Sequence, residues 1–320
     1  MNSGNFQCSE ALRSRLLGCA AEVGACACGF AEVRPVDASA INAYNKWLAD
    51  GSHAGMAYLE KYSDVRAHPA LLLDGARSIL CLAFAYMQPG GRRSALFADY
   101  ALGSDYHTVL REQLAPLAAE MCEAVPGSTT RICIDTAPLR ERYWAATAGV
   151  GFIGRNNQLI VPGIGSRVFL AEILWTASVR PSQSRMTETC IGCDRCVSAC
   201  PGHALDGYGA LDARRCLSYL TIEHRGELPE GVSLVGRRIY GCDICQDVCP
   251  HNVDVAAAPV LDAFAPREEL LSLNVEAIAS MTQPDFSRIF ARSAIKRAKL
   301  NGLQKNIKKL INFNNDNLDA

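Results

Sequence analysis

Two runs of cysteine decide how this chain is read: CIGCDRCVSACP, from Cys190 to Pro201, and CDICQDVCP, from Cys242 to Pro250. The first has the spacing C-x2-C-x2-C-x3-C-P, the bacterial ferredoxin pattern, in which three closely spaced thiolates hold one [4Fe-4S] cubane and the fourth reaches across to a second. The second run places Cys242, Cys245 and Cys249 before Pro250, and Cys216 stands alone between the two. Eight thiolates suffice for two [4Fe-4S] clusters. The ferredoxin crossover assigns Cys190, Cys193, Cys196 and Cys249 to one cluster, and Cys216, Cys242, Cys245 and Cys200 to the other. A pair of structural zinc sites is the competing reading, because C-x2-C pairs also make tetrahedral ligand sets. A third cysteine three positions on, and a fourth followed by proline, argue against zinc.

The remaining composition sets the frame. Of 15 cysteines, the other seven (Cys8, Cys19, Cys26, Cys28, Cys81, Cys122 and Cys133) are scattered. An odd total without a secretory pattern argues against a disulfide framework. Cys81 in SILCLAFAY and Cys133 in RICID read as small hydrophobes. The 320 residues are 49% hydrophobic and 20% charged with a formal net charge of −1, which excludes disorder as the main state and suggests two or three domains. No run approaches the ~18 apolar residues of a membrane span, so a cytoplasmic location and no membrane partner are expected.

Working outward, residues 8–24 read as a helix, with SGNFQ offering a capping Ser or Asn. Ser78 to Tyr86, Thr130 to Ile134 and Arg167 to Thr176 are short, apolar and rich in Ile, Val and Phe, which favours buried strands. Asp105 to Glu123 and Leu139 to Ala148 carry helical spacing between them, an α/β alternation. A turn-prone stretch from Pro181 to Thr189 marks a boundary. The expected layout is an α/β (α+β) domain over 1–180, a two-cluster ferredoxin-like domain over 181–256, and a basic helical region over 257–320. The fragment GVGFIG, Gly149 to Gly154, matches G-x-G-x-x-G formally. No strand runs into it and no helix clearly follows, so it is a weak nucleotide signal.

Around that fragment lies a dense polar set: Asp135, Arg140, Glu141, Arg142, Arg155, Asn156, Asn157 and Gln158. Asp135 follows the strand RICI, where a carboxyl would face a crevice. Asp before Thr-Ala-Pro is equally an ordinary turn starter or helix cap, and the residues alone leave both readings open.

The succession DTAPLRERYWAATAGVGFIGRNNQLI, GSRVFLAEIL, TCIGCDRCVSACPGHAL, LDARRCLSYLTIEHRGELP and RRIYGCDICQDVCPHN closely resembles the epoxyqueuosine reductase family. Upstream, MAYLEKYSDVRAHPALLLDGARSILCLAFAY and YALGSDYHTVLREQL fit it too, so the likeness runs in order over about residues 50–253. The resemblance implies a cobalamin-binding domain related to those of reductive dehalogenases, then two [4Fe-4S] clusters and a helical C-terminal region. It implies reduction of epoxyqueuosine to queuosine at the tRNA wobble position. Asp135 in D-T-A-P resembles the family's proton donor. Arg66, Arg142, Asn157, Ser166 and Ser218 resemble positions near the corrinoid. The family often continues into helical repeats, and here the chain stops at Ala320.

The chemistry agrees with that reading. Deleting an epoxide oxygen needs two electrons and protons, which low-valent cobalt and [4Fe-4S] clusters deliver. The expected donor is a carboxylic acid whose pKa is raised by partial burial, with Asp135 the candidate. The cobalt-ligating Asp-x-His-x-x-Gly motif is absent, its nearest string being Asp105 to Leu110, so no protein histidine on cobalt is expected. Between Phe286 and Asn315 stand eight basic residues and no acid, read as a helix with a positive side for RNA phosphates, with Lys296, Arg297 and Lys299 as contacts. The expected partners are tRNA carrying epoxyqueuosine and a separate electron donor, with the chain a monomer. The rivals are a corrinoid reductive dehalogenase acting on a small molecule and an electron-transfer protein without chemistry of its own.

Overall fold

The apolar run of the second strand is explained by burial on both faces. In this computed structural model, which describes residues 8–182, 189–229, 232, 234, 238–253 and 255–316, the chain folds in the order α1 (Glu10–Glu22), β1 (Ala27–Glu32), α2 (Ala38–Ala49), α3 (Ser63–Ala67), β2 (Ser78–Ala85), α4 (Tyr106–Ala124), β3 (Thr130–Cys133), α5 (Glu141–Thr147), β4 (Phe152–Ile153), β5 (Leu159–Ile160) and β6 (Val168–Trp175). Every residue of β2 is buried. Leu80, Leu82 and Phe84 face a core shared with Leu16 of α1 and Leu114 and Met121 of α4. Ile79, Cys81 and Ala83 face Trp144 and Ala145 of α5. Each such side chain contributes roughly 1.5–3 kcal/mol of burial, so a Leu82→Ala change would open a cavity in the main core.

Three of the four strands match the expected segments, and their order is β1-β2-β6-β3 with every neighbouring pair antiparallel. β2 and β3 therefore run parallel to one another with α4 as their crossover, and β6 is inserted between them. The α/β alternation is real, and the inserted strand makes it an α+β sheet. β1 had no apolar signal, being ACGFAE. Its Gly29 is required because a Cβ there would lie 2.2 Å from the Ala148 carbonyl beyond α5. α1 is capped by Ser9, whose Oγ accepts the Leu12 N–H. The Ser and Asn of SGNFQ lie outside the described residues, as does most of the Pro181 to Thr189 boundary. GVGFIG leads from α5 into the β4–β5 hairpin and not into a helix.

After the sheet come α6 (Arg195–Ser198), α7 (Leu217–Ile222), α8 (Ile244–Asp247), α9 (Glu268–Leu271), α10 (Val275–Ala279), α11 (Gln283–Ile289) and α12 (Lys299–Asp316). The last helices do not stand apart. Ile278, Phe290, Ile295, Leu303 and Ile307 share one core with Leu220, Ile239 and Tyr240, and with Leu96, Phe97 and Leu102 from the loop after β2. Buried Asn306 pins α12 by donating to the Thr221 and Ile239 carbonyls at 2.9 and 2.8 Å. No helix among the described residues is long and apolar enough to cross a membrane.

Candidate active site

The C-terminal ends of β2 and β3 open on a cavity of about 320 Å³. One wall is the sheet end and α5: Tyr86, Asp135, Glu141, Arg142, Val168 and Phe169. Cys200, Cys216, Ser218, Cys242 and Cys245 also line the cavity, as do Asn156, Gln158, Ser166 and Gln246. All four thiols of one expected set thus face the cavity together. The other set, Cys190, Cys193, Cys196 and Cys249, lines a second, small cavity with Arg155, Asn156 and His251.

Local geometry draws each set together. Pro201 and Gly202 turn the chain after Cys200 so tightly that a Cβ at Gly202 would sit 1.8 Å from the Arg215 carbonyl, next to Cys216. The Cys190 Sγ accepts the Arg155 N–H at 3.3 Å, and Arg155 Nη1 donates to the Cys193 carbonyl at 3.3 Å. Cys200 Sγ accepts the Ala204 N–H at 3.3 Å. Such N–H···S contacts suit a negatively charged cluster thiolate. Burial pushes the Cys242 thiol up to about 11 and Cys245 higher still, so thiolates there require a compensating cation such as iron. All eight cysteines are free.

Asp135 sits at the mouth, its side chain 57% exposed and its backbone in the left-handed region at φ +52°. Its Oδ2 accepts from the Tyr106 hydroxyl at 3.0 Å and from His107 Nε2 at 3.1 Å. The other ring nitrogen of His107 lies 2.8 Å from Asp105 Oδ1, and Asp105 Oδ2 is 3.4 Å from Lys296 Nζ. Tyr106 is held rigid by stacking on Phe169, ring centroids 4.4 Å apart. The Asp135 N–H donates to Glu141 Oε1. The sequence signal for Tyr106 and His107 was the DYH string that opens α4, passed over because it lacked the corrinoid-motif glycine.

The electrostatics correct one expectation. Burial pushes the Asp135 carboxyl up, but the hydrogen bond and charge of His107 and the Tyr106 hydroxyl outweigh it and hold the carboxyl below its ordinary value. Burial alone would lower His107, and its two carboxylate neighbours instead raise it to about 9. The proton therefore rests on His107, paired with an Asp135 carboxylate.

Of the positions expected near a cofactor, Asp135, Arg142, Ser166 and Ser218 line the cavity, whereas Arg66 and Asn157 do not. Arg66 lies in α3, its Nε without a partner among the described residues. The Asn157 carbonyl accepts from Arg142 Nη1, and its neighbour Asn156 reaches the cavity, its Nδ2 without a partner among the described residues. Ser166 Oγ donates to Gln246 Oε1 at 3.0 Å, tying the sheet end to α8. The basic run is not one helix: Lys296 and Arg297 lie in the 3-10 turn Ala294–Ala298, and α12 begins at Lys299. Arg297 pairs with both oxygens of Glu223 at 2.9 and 3.1 Å and lies over the Tyr58 ring at 5.8 Å. Tyr58 is 45% exposed.

Residues 66–136 match the family described as "Epoxyqueuosine reductase QueG, DUF1730", and residues 189–252 match "4Fe-4S double cluster binding domain". The epoxyqueuosine reductase of Cyclobacterium marinum is 35% identical over 293 residues, 90% of this chain and 93% of that protein. That of Gloeobacter violaceus is 36% identical over 299 residues, 91% and 92% of the two chains. Among solved structures, an epoxyqueuosine reductase with a tRNA-Tyr epoxyqueuosine-modified stem loop superposes with TM-score 0.86 at 30% identity, over 94% of this chain and 81% of that one. A Bacillus subtilis epoxyqueuosine reductase with an aspartate catalytic loop swung out of the active site gives TM-score 0.85 at 28% identity, over 94% and 81%.

Proposed function

This chain belongs to the epoxyqueuosine reductase family, and from that premise we propose that it reduces epoxyqueuosine to queuosine in tRNA with a corrinoid in the large cavity and two [4Fe-4S] clusters feeding it. The observation that carries this reading is the cavity itself, which is lined by the four thiols of one set and by Asp135, the carboxylate that His107 partners from outside the lining. An electron carrier and a proton source thus face one space. The relative bound to an epoxyqueuosine-modified stem loop supports a tRNA substrate. The family match supports the substrate over a halogenated small molecule, and the acid pair supports catalysis over bare electron transfer.

The residues fit the groups. Two sets of four free thiols suit two cubanes, divided as Cys190, Cys193, Cys196, Cys249 and Cys200, Cys216, Cys242, Cys245. The cavity is of the size of small-molecule and cofactor sites, and Asn156 Nδ2, unpartnered among the described residues, would with Arg142, Ser166 and Ser218 hold a cofactor's polar rim. When bound, the corrinoid supplies nucleophilic and redox chemistry at carbon, and the clusters supply single electrons.

The chain's own residues handle protons and position. Epoxide opening builds negative charge on oxygen, and the proton held on His107 Nε2, a ring that Asp105 orients through Nδ1, crosses to the Asp135 carboxylate at Oδ2 as the Asp135 carboxyl delivers a proton to that oxygen. Tyr106, fixed by Phe169, keeps that carboxyl aimed. The Bacillus subtilis relative with its aspartate catalytic loop supports this role for Asp135. At the mouth, exposed Tyr58 under Arg297 suits an unstacked base, and Lys296 and Lys299 suit its phosphates. A separate donor delivers the electrons, and the protein acts as a monomer. Anaerobic reconstitution with iron, sulfide and cobalamin should leave stoichiometric corrinoid bound after desalting, read by absorption spectra. Retention of none would overturn the cavity's assignment.

A further inference from the structure

Reduction of an epoxide to an alkene consumes two protons as well as two electrons. Two carbon–oxygen bonds break, one carbon–carbon π bond forms, and the oxygen leaves as water with two new O–H bonds. The Asp135–His107 pair accounts for one proton. We propose that Glu141 supplies the other, its carboxyl clasping the Asp135 loop through the Asp135 N–H while opening on the same cavity. This rests on the reading of that cavity as the reduction site.

The placement is dictated by neighbouring elements. Glu141 is the first residue of α5, whose Trp144 and Ala145 pack on the sheet, so its carboxyl is fixed between the Asp135 loop and the cavity. Only Oε1 is engaged by the Asp135 amide, and no hydrogen bond within the described residues occupies Oε2. Behind it on β6 stands Glu172, 0% exposed, flanked in register by Cys81 and Cys133, with neither carboxyl oxygen partnered among the described residues. A charge on Glu172 would be buried without compensation, so it stays neutral.

Seven titratable groups face Glu141: Arg142, His107, Asp135, Glu172, the Tyr106 hydroxyl and the thiols of Cys81 and Cys133. Arg142 on α5 and His107 on α4 favour its charged form, and Asp135 on the loop after β3 disfavours it. Glu172 on β6 faces it as a second buried acid, held neutral chiefly by burial. Burial first, and then the Asp135 charge, raise Glu141 to about 8. At neutral pH it is a protonated acid lining the site. After giving its proton to the departing oxygen it is left as carboxylate and recovers a proton from solvent at the cavity mouth.

Glu141→Gln separates the two roles, since the amide oxygen still accepts the Asp135 N–H while the transferable proton is gone. Single-turnover reduction should slow by at least about 10²-fold, the usual contribution of a positioned acid. The alkaline fall in rate near pH 8 should disappear, leaving a fall nearer 9 that belongs to His107. Infrared titration should show a protonated-carboxyl band that ionises near pH 8 in the unaltered protein and is missing from the variant. A variant with the parent's rate and alkaline fall would overturn the proposal. If Glu141→Gln does not fold, the infrared titration of the unaltered protein decides alone: no carboxyl ionising between about pH 7 and 9 overturns it. Absence of conversion by the unaltered protein would contradict the function itself, while the infrared result would still judge Glu141.

Discussion

The Asp135 carboxylate accepts from His107 Nε2 at 3.1 Å, while the other nitrogen of that ring lies 2.8 Å from Asp105. An imidazolium between two carboxylates is a stored proton with a fixed exit. Asp105 is driven down to about 2, chiefly by its hydrogen bond with His107, so it stays ionised across the working range and keeps the ring oriented.

The first prediction concerns that ring. His107 should titrate near 9 in nuclear magnetic resonance spectra. A group raised in the folded state contributes stability fully below its unfolded pKa of about 6.5, and that contribution fades as pH rises through about 9. In the His107→Ala variant the stability lost above neutrality should be smaller. A ring titrating near 6.5 in the parent would contradict the ion pair.

Asp135→Asn should leave the fold and the Tyr106 hydrogen bond in place yet lower turnover by about 10² to 10⁴. Its left-handed backbone is tolerated by Asn, so thermal stability should change little. Parent-level turnover in this variant would reduce Asp135 to a turn residue.

Much of this was legible in the chain and the remainder was hidden for physical reasons. The spacing from Cys190 to Cys249 announces eight thiols in two sets; Cys200, Cys216, Cys242 and Cys245 line the large cavity, and Cys190, Cys193, Cys196 and Cys249 line the small one. The runs around Leu82 and Leu174 announce strands because burial on both faces leaves a continuous apolar stretch, whereas β3, with Arg131 exposed, is marked by its short β-branched run alone. β1 was silent, since its small residues were chosen by close approach and not by hydrophobicity. The Asp105–His107–Asp135 chain joins the start of α4 to the loop after β3, a pairing no local pattern encodes. For the same reason the depressed Asp135 carboxyl was not foreseen, and Asn156 was overlooked in favour of its neighbour. The basic run hid the acidic partners of Lys296 and Arg297, which lie far away in sequence.

Iron content should approach eight per chain when both clusters are intact. Cys200→Ser should disturb the cluster facing the cavity, with Cys216, Cys242 and Cys245, although Cys200 belongs to the first run in sequence. Electron paramagnetic resonance that showed only the other cluster altered would reject this division. Zinc in place of iron after anaerobic purification would reject the clusters.

Binding of tRNA should weaken as salt rises, and removing each phosphate-binding cation should flatten the log–log slope by about 0.7 to 0.9. Lys299 is exposed, whereas Lys296 and Arg297 hold acidic partners, so Lys299→Ala should change the slope at least as much as Lys296→Ala. Glu223→Gln should release Arg297 and tighten binding. Equal affinities and slopes for parent and the Lys296, Arg297 and Lys299 triple alanine variant would place the RNA surface elsewhere.

The most direct test of the account is incubation of the reconstituted protein with cobalamin, a low-potential reductant and tRNA carrying epoxyqueuosine, followed by mass analysis of the digested nucleosides. The account predicts a loss of one oxygen, with queuosine replacing epoxyqueuosine in the parent and little conversion in Asp135→Asn. Epoxyqueuosine persisting unchanged with the parent protein, both clusters and corrinoid in place, would contradict it.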